Sequence, residues 1–259
     1  MKTVKHLVAS LSMIGLVAAL PASSAMAAKH EFNPQQTQAI EKIIHDYLIT
    51  NPEVMYEVSQ ALEKQQQQEL QTTAQTAIKE NSKQLFSSNS PSAGNDKGDV
   101  VLVKFFDYQC GHCKNMKEII DALIQEDNKL KVVFKELPIF GAESEFASKA
   151  ALAAQKQGKY LELHAALLAE KNRFDDDLVL SIAKKVGLDM AKLKKDMASS
   201  DVEKELDENM HLAKELRLMG TPAFVVGGQL NQAEQKTSFI AGFVPQETLV
   251  EAISQARNR

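Results

Sequence analysis

The period of the hydrophobic positions changes several times along the chain, and each change marks an element. Residues 7–20 form an apolar run broken only by Ser10, Ser12 and Gly15, with Lys2 and Lys5 before it and Pro21, Ala25 and Ala27 after it. A basic start, a short apolar stretch and small residues predict a signal peptide, 1–27, cleaved after Ala27. Asn33-Pro34 then reads as a helix start. Ile40, Ile43, Ile44, Tyr47 and Leu48 follow on one stripe. Asn51-Pro52 repeats the start signal, and Val54, Met55, Val58, Ala61 and Leu62 form a second stripe. Glutamines 65–68 dilute it, and Leu70, Ala74, Ala77 and Ile78 resume it more weakly. Residues 28–86 are thus predicted to be two amphipathic helices, the second long, which cannot bury their stripes alone. Ser87–Asp99 (SSNSPSAGNDKGD) is rich in turn formers and reads as a linker or exposed turn.

Beyond residue 100 the pattern shortens. Val100–Phe106 (VVLVKFF) predicts a buried strand, and Lys129–Leu137 a second core strand. Between them, Met116, Ile119, Ile120, Leu123 and Ile124 fall on one helical stripe. Five helical stretches follow, at 143–157, 160–170, 176–186, 190–197 and 202–218. A short strand at 237–241 and a closing helix at 246–256, just after Pro245, complete an α/β arrangement. Of the residues, 44% are hydrophobic and 25% charged, which suits a globular protein with a real core. Thirty Lys and Arg face 34 Asp and Glu, and Trp is absent, which argues against nucleic acid as a partner. No second apolar run approaches the roughly 18 residues of a membrane span, so a soluble protein in an exported compartment is expected.

The chemistry concentrates in two cysteines, Cys110 and Cys113, spaced C-G-H-C. As a structural disulfide this pair closes too small a loop to remove much chain entropy. Zinc needs about four ligands, and no second C-x-x-C or suitably spaced His pair exists. Haem attachment needs His after the second Cys, where Lys114 stands. A cysteine protease leaves Cys113 unexplained. Redox exchange accounts for both residues. Cys110 falls where a strand ends and a helix begins, and the helix N-terminus favours thiolate over thiol. Cys110, on an exposed first turn, is therefore expected to attack, and the more buried Cys113 to resolve the mixed disulfide. His112 can supply positive charge or a donor beside the anion, and Gly111 a tight turn.

Val103–Cys113 (VKFFDYQCGHC) resembles the active-site segment of DsbA-type, thioredoxin-fold disulfide oxidoreductases, and Met219–Val226 (MGTPAFVV) resembles their cis-proline loop. The resemblance covers roughly 98–257. It implies a thioredoxin fold over 100–259 with a helical insertion at about 142–218, preceded by the helical extension. It implies a cis Pro222 opposite Cys110, with Thr221 offering its backbone to a substrate peptide. The only cofactor implied is the redox-active Cys110–Cys113 disulfide, with no metal. Departures are C-G-H-C in place of C-P-H-C, Thr before the proline, and Lys104 where many members carry a buried acid; Glu136 is the expected partner for that lysine. Tyr47–Val54 is similar to the N-terminal extension of ScsC-type members, implying assembly through 28–86 as a homodimer, with a trimer second. The implied function is a periplasmic thiol:disulfide oxidoreductase, forming or isomerising disulfides in exported cysteine-containing clients. Its resting state would be set by a DsbB-type or DsbD-type membrane partner. The alternatives are a copper-binding, metal-tolerance protein using the same two thiolates, and an interaction protein with vestigial chemistry.

Overall fold

A computed structural model of the chain describes residues 32–86, 89–228 and 237–258. The expected signal peptide, 1–27, lies outside the described residues. The chain divides into two compact units, Met1–Val58 and Ser59–Arg259.

The larger unit is built on a five-stranded sheet in the order β1-β3-β2-β4-β5. The strands are β1 (Ser92–Gly94), β2 (Val100–Phe106), β3 (Leu130–Glu136), β4 (Ala223–Gly228) and β5 (Ser238–Ala241). β2 and β3 run parallel, Val100 opposite Leu130 and Phe106 opposite Glu136. β4 is antiparallel to β2, bringing Ala223 opposite Phe105. All seven positions of β2 are buried, which is why its sequence reads as an apolar run interrupted only by Lys104: a central strand covered on both faces has no polar side to alternate with. Leu102 and Phe106 join Phe134 and Phe224 in one core, while Val101, Val103 and Phe105 join Val133 and Val225 in the other.

The first face is covered by α4 (Gly111–Glu126) and α10 (Gln246–Arg257), through Met116, Ile120, Leu123, Leu249 and Ile253. Between β3 and β4 lie α5 (Ala142–Gln155), α6 (Tyr160–Ala169), α7 (Asp176–Lys185), α8 (Met190–Met197) and α9 (Ser200–Glu215). Ala147, Ser148, Ala150, Ala151, Ala153 and Ala154 are buried along α5. Small side chains let neighbouring helices approach it on several sides. Asp175 and Asp189 cap α7 and α8, accepting from Leu178 N at 2.7 Å and Lys192 N at 3.0 Å.

Two boundaries differ from the sequence reading. α2 (Glu53–Glu80) and α3 (Ser82–Leu85) do not wholly belong to a separate extension. Ala74, Ala77, Ile78, Leu85 and Phe86 are buried in the second core, with Leu212 and Ala213 of α9 and Leu216 just after it. The weaker stripe after the glutamines is thus core of the larger unit. The expected linker 87–99 also contains β1, which pairs antiparallel with β3. Gly94 permits that docking, with φ 84° and a position where a Cβ would stand 2.5 Å from the Leu130 carbonyl oxygen.

In the smaller unit, Asn33 caps α1 (Pro34–Thr50) through a reciprocal capping box with Gln36. The second Asn-Pro pair works differently. Asn51 ends α1, its backbone and side-chain N–H groups both donating to Tyr47 O, at 2.9 and 2.8 Å. No residue of α1 is buried, and Ile43, Ile44, Tyr47, Met55 and Val58 stand exposed.

Candidate active site

β2 ends at Phe106, a four-residue loop follows, and α4 begins at Gly111 with Cys110 as its N-cap. Asp107 shapes this loop. Its Oδ1 accepts from Gln109 N and Ser144 Oγ, both at 2.7 Å, and its Oδ2 from Ile139 N at 2.8 Å and Phe140 N at 3.1 Å. One buried carboxylate thus binds the cysteine loop to the segment entering α5. Sequence reasoning assigned Asp107 no role. Its signal was a charge placed directly after a strand buried along its whole length, where a buried carboxylate needs several donors.

Cys110 and Cys113 are unbridged. Cys110 Sγ accepts the Cys113 backbone N–H at 3.4 Å and, when protonated, donates to Thr221 O at 3.2 Å. The Thr221–Pro222 peptide bond is cis, and the Thr221 hydroxyl oxygen is buried with no hydrogen-bond partner in the described geometry. The Cys113 thiol beside it, then the Thr221 side chain and the Cys113 and His112 backbone N–H groups, hold the Cys110 pKa down at about 5, against the opposing pull of burial. Burial, and then the adjacent Cys110 sulfur, push the Cys113 thiol well above the ordinary range. The two sulfurs are therefore driven to opposite protonation states, one an anion and one a thiol.

Three sequence expectations need correction. Cys110 is not exposed: it keeps 4% of its surface, because the Thr221–Pro222 loop lies against its sulfur. Gly111 has a helical backbone rather than a tight turn, and a Cβ there would meet nothing within 4 Å. The His112 imidazole forms no hydrogen bond to either sulfur among the described residues. It lies beside the Phe243 ring, centroids 5.9 Å apart, and its backbone N–H faces the sulfur instead.

The family model described as DSBA-like thioredoxin domain matches residues 101–254, more than half of the chain. The chain belongs to the DsbA-like thioredoxin-domain family. A second model, for the copper resistance protein ScsC N-terminal domain, matches residues 36–69. A thioredoxin-like oxidoreductase from Silicibacter pomeroyi DSS-3 is 39% identical, with a TM-score of 0.62 covering 68% of this chain and 96% of that one. BcfH from Salmonella enterica Typhimurium is 29% identical, with a TM-score of 0.73 over 86% of this chain and 97% of that one. The probable disulfide bond formation protein D of Bacillus cereus is 27% identical over 156 residues, 55% of this chain and 72% of that protein. This DsbA-like protein is a thiol–disulfide oxidoreductase.

Beneath the cysteines the DsbA-like domain carries a buried polar network that sequence reasoning did not find. Glu136 Oε1 accepts from the Tyr108 and Tyr160 hydroxyls, both at 2.8 Å, and Oε2 from Ser148 Oγ at 2.9 Å. Tyr108 Oη also lies 2.9 Å from His164 Nδ1. Burial raises the Glu136 pKa to about 8 and drives that of His164 well down, so both stay neutral at pH 7. The predicted Lys104–Glu136 pair is absent because three hydroxyls already occupy the carboxyl group. Lys104 is 1% exposed, with Nζ 5.4 Å from the Phe106 ring centroid and no hydrogen bond or ion pair among the described residues. Burial lowers its pKa to about 8, opposed first by the Cys113 sulfur.

No cluster of three or more His, Cys, Asp or Glu able to hold a metal occurs among the described residues. Among them no helix is long and apolar enough to cross a membrane.

Proposed function

We propose that this chain is a periplasmic thiol:disulfide exchange catalyst for exported proteins, with Cys110 as nucleophile and Cys113 as resolving residue. In reduction or isomerisation, the Cys110 thiolate attacks one sulfur of a client disulfide. The new S–S bond forms as the client S–S bond breaks, and the other client sulfur leaves as thiolate. Cys113, after losing its proton, then attacks Cys110 Sγ and releases the second client thiolate. In oxidation the steps reverse, and Cys110 departs as a stabilised thiolate. A low leaving-group pKa speeds that departure and makes the disulfide more oxidising.

The observation that carries this reading is the geometry at Cys110 Sγ: it takes the Cys113 N–H at the start of α4 and lies 3.2 Å from Thr221 O. Thr221 and Pro222 present an edge along which an extended client segment can lie beside the sulfur. Met219, 93% exposed, and the exposed Phe243 supply apolar surface on the segments flanking it. The unpartnered stripes of α1 and early α2 support homo-oligomerisation, as a dimer first and a trimer second. An assembly that presents several Cys110 sulfurs to one client favours isomerisation. The exported setting, and a DsbB-type or DsbD-type membrane protein that resets the cysteines, belong to the same proposal.

Alkylation of Cys110 by iodoacetamide tests it: the rate should titrate with a midpoint near 5. A midpoint near 8.5, the value of an ordinary cysteine, overturns the activated nucleophile. Cys110→Ser should abolish insulin reduction. A second reading, Cu(I) held by the two thiolates, is favoured by the match of residues 36–69 to the ScsC N-terminal domain, and two soft sulfurs suit that ion. Copper titration of the reduced chain, with Cys113→Ser as control, decides it; binding that survives the substitution rejects this site.

A further inference from the structure

Among the described residues Lys104 is a buried cation with no hydrogen bond or ion pair, only the Phe106 ring beside its Nζ, and it lines a cavity. The cavity has a volume of about 300 Å³ and lies between α4, α6 and the sheet. Lys104 and Phe134, opposite each other on β2 and β3, form its floor; Ile120 and Ile124 of α4 and Leu161 and Leu168 of α6 form its walls. At the open side, Lys117 Nζ is bound to Asp121 Oδ2 at 2.5 Å, so Asp121, which attracts Lys104 only at longer range, is already paired. His164 also lines the cavity, but it is neutral and its Nδ1 is engaged with Tyr108. Glu136 is occupied by its three hydroxyl donors. Among the described residues this leaves Lys104 without an ion pair in a chamber walled largely by hydrocarbon, and a buried charge lacking such a partner is costly.

We propose that this cavity binds a small monocarboxylate with a compact apolar body, its charge held by Lys104 and its hydrocarbon by the α4 and α6 walls. A phosphate or sulfate is a poorer match, since the chamber offers a single uncancelled cation and mostly hydrocarbon. Resting on the thiol-exchange reading, the site is linked to redox state. In the reduced protein the Cys110 thiolate gives Lys104 a second source of negative charge, which the disulfide form lacks. The carboxylate therefore binds the disulfide form more tightly, and by reciprocity it makes the protein a weaker oxidant.

The test is titration of the full chain with hexanoate, followed by calorimetry and by the methyl resonances of Ile120, Ile124 and Leu168. Hexanoate should bind and shift those methyls, whereas hexanamide, the uncharged isostere, should not. Lys104→Met should abolish binding. Ala165→Leu, which fills the chamber, should also abolish it while leaving insulin reduction unchanged. Affinity should be several-fold higher for the oxidised than for the reduced protein. Absence of hexanoate binding, or binding that Lys104→Met leaves intact, overturns the site. Equal affinity for the two redox forms overturns the linkage. Both binding readouts are independent of catalysis, so failure of thiol exchange leaves the cavity test standing.

Discussion

Glu136 and Cys110 give the protein opposite pH dependences. The Glu136 pKa is raised by burial from 4.5 to about 8. Its contribution to stability is full below 4.5 and is lost as pH rises through 8, because the unfolded chain ionises first. Glu136→Gln should flatten the decline in urea stability across that window. The Cys110 pKa is depressed from 9.0 to about 5, so its contribution is full above 9 and lost as pH falls through 5. Only the dithiol form has it, so the stability of reduced over oxidised protein should grow between pH 5 and 9. Thr221→Val removes the buried hydroxyl whose presence favours that anion; it should raise the Cys110 pKa, read by ultraviolet thiolate absorbance, with little loss of fold stability. Asp107→Ala strands four donors, and each buried donor left unpaired costs about 1–3 kcal/mol; urea unfolding should register a loss of at least that size. The two sulfurs were legible in the sequence because their spacing excludes most other chemistry. Asp107, Glu136 and the isolation of Lys104 were not, because their meaning depends on partners up to several dozen residues away.

At the scale of elements, α2 carries two different jobs. Its first half presents an apolar stripe to solvent, and its second half is core. Ile78 is 1% exposed, and Ile78→Ala should cost the larger unit about 2–5 kcal/mol. Ile43 is 67% exposed; Ile43→Ala should change unfolding by less than about 0.5 kcal/mol yet weaken self-association in sedimentation. Periodicity located both stripes. It could not say which partner covers each, since a helical stripe reports only that one side avoids water. β1 went unread for a related reason: three residues, one of them Gly94, carry no alternation, and an edge strand of this length exists only because β3 offers free backbone groups.

For the whole molecule, a chain beginning at Ser59 should keep its fold and its insulin reduction while losing assembly, measured by sedimentation and by rescue of scrambled ribonuclease. A chain beginning at Ser90 should lose stability as well, since it lacks Ala74, Ala77, Ile78, Leu85 and Phe86 from the second core. The sequence by itself determined the chemistry, the fold class and the order of elements. Spacing, strand runs and helical stripes are local, and two motifs about a hundred residues apart suffice to name the family. Tertiary structure alone decided how covered the reactive sulfur is, which half of α2 is core, and what surrounds each buried charge. Burial and electrostatic environment are properties of the groups that folding brings together, and no stretch of neighbouring residues encodes them.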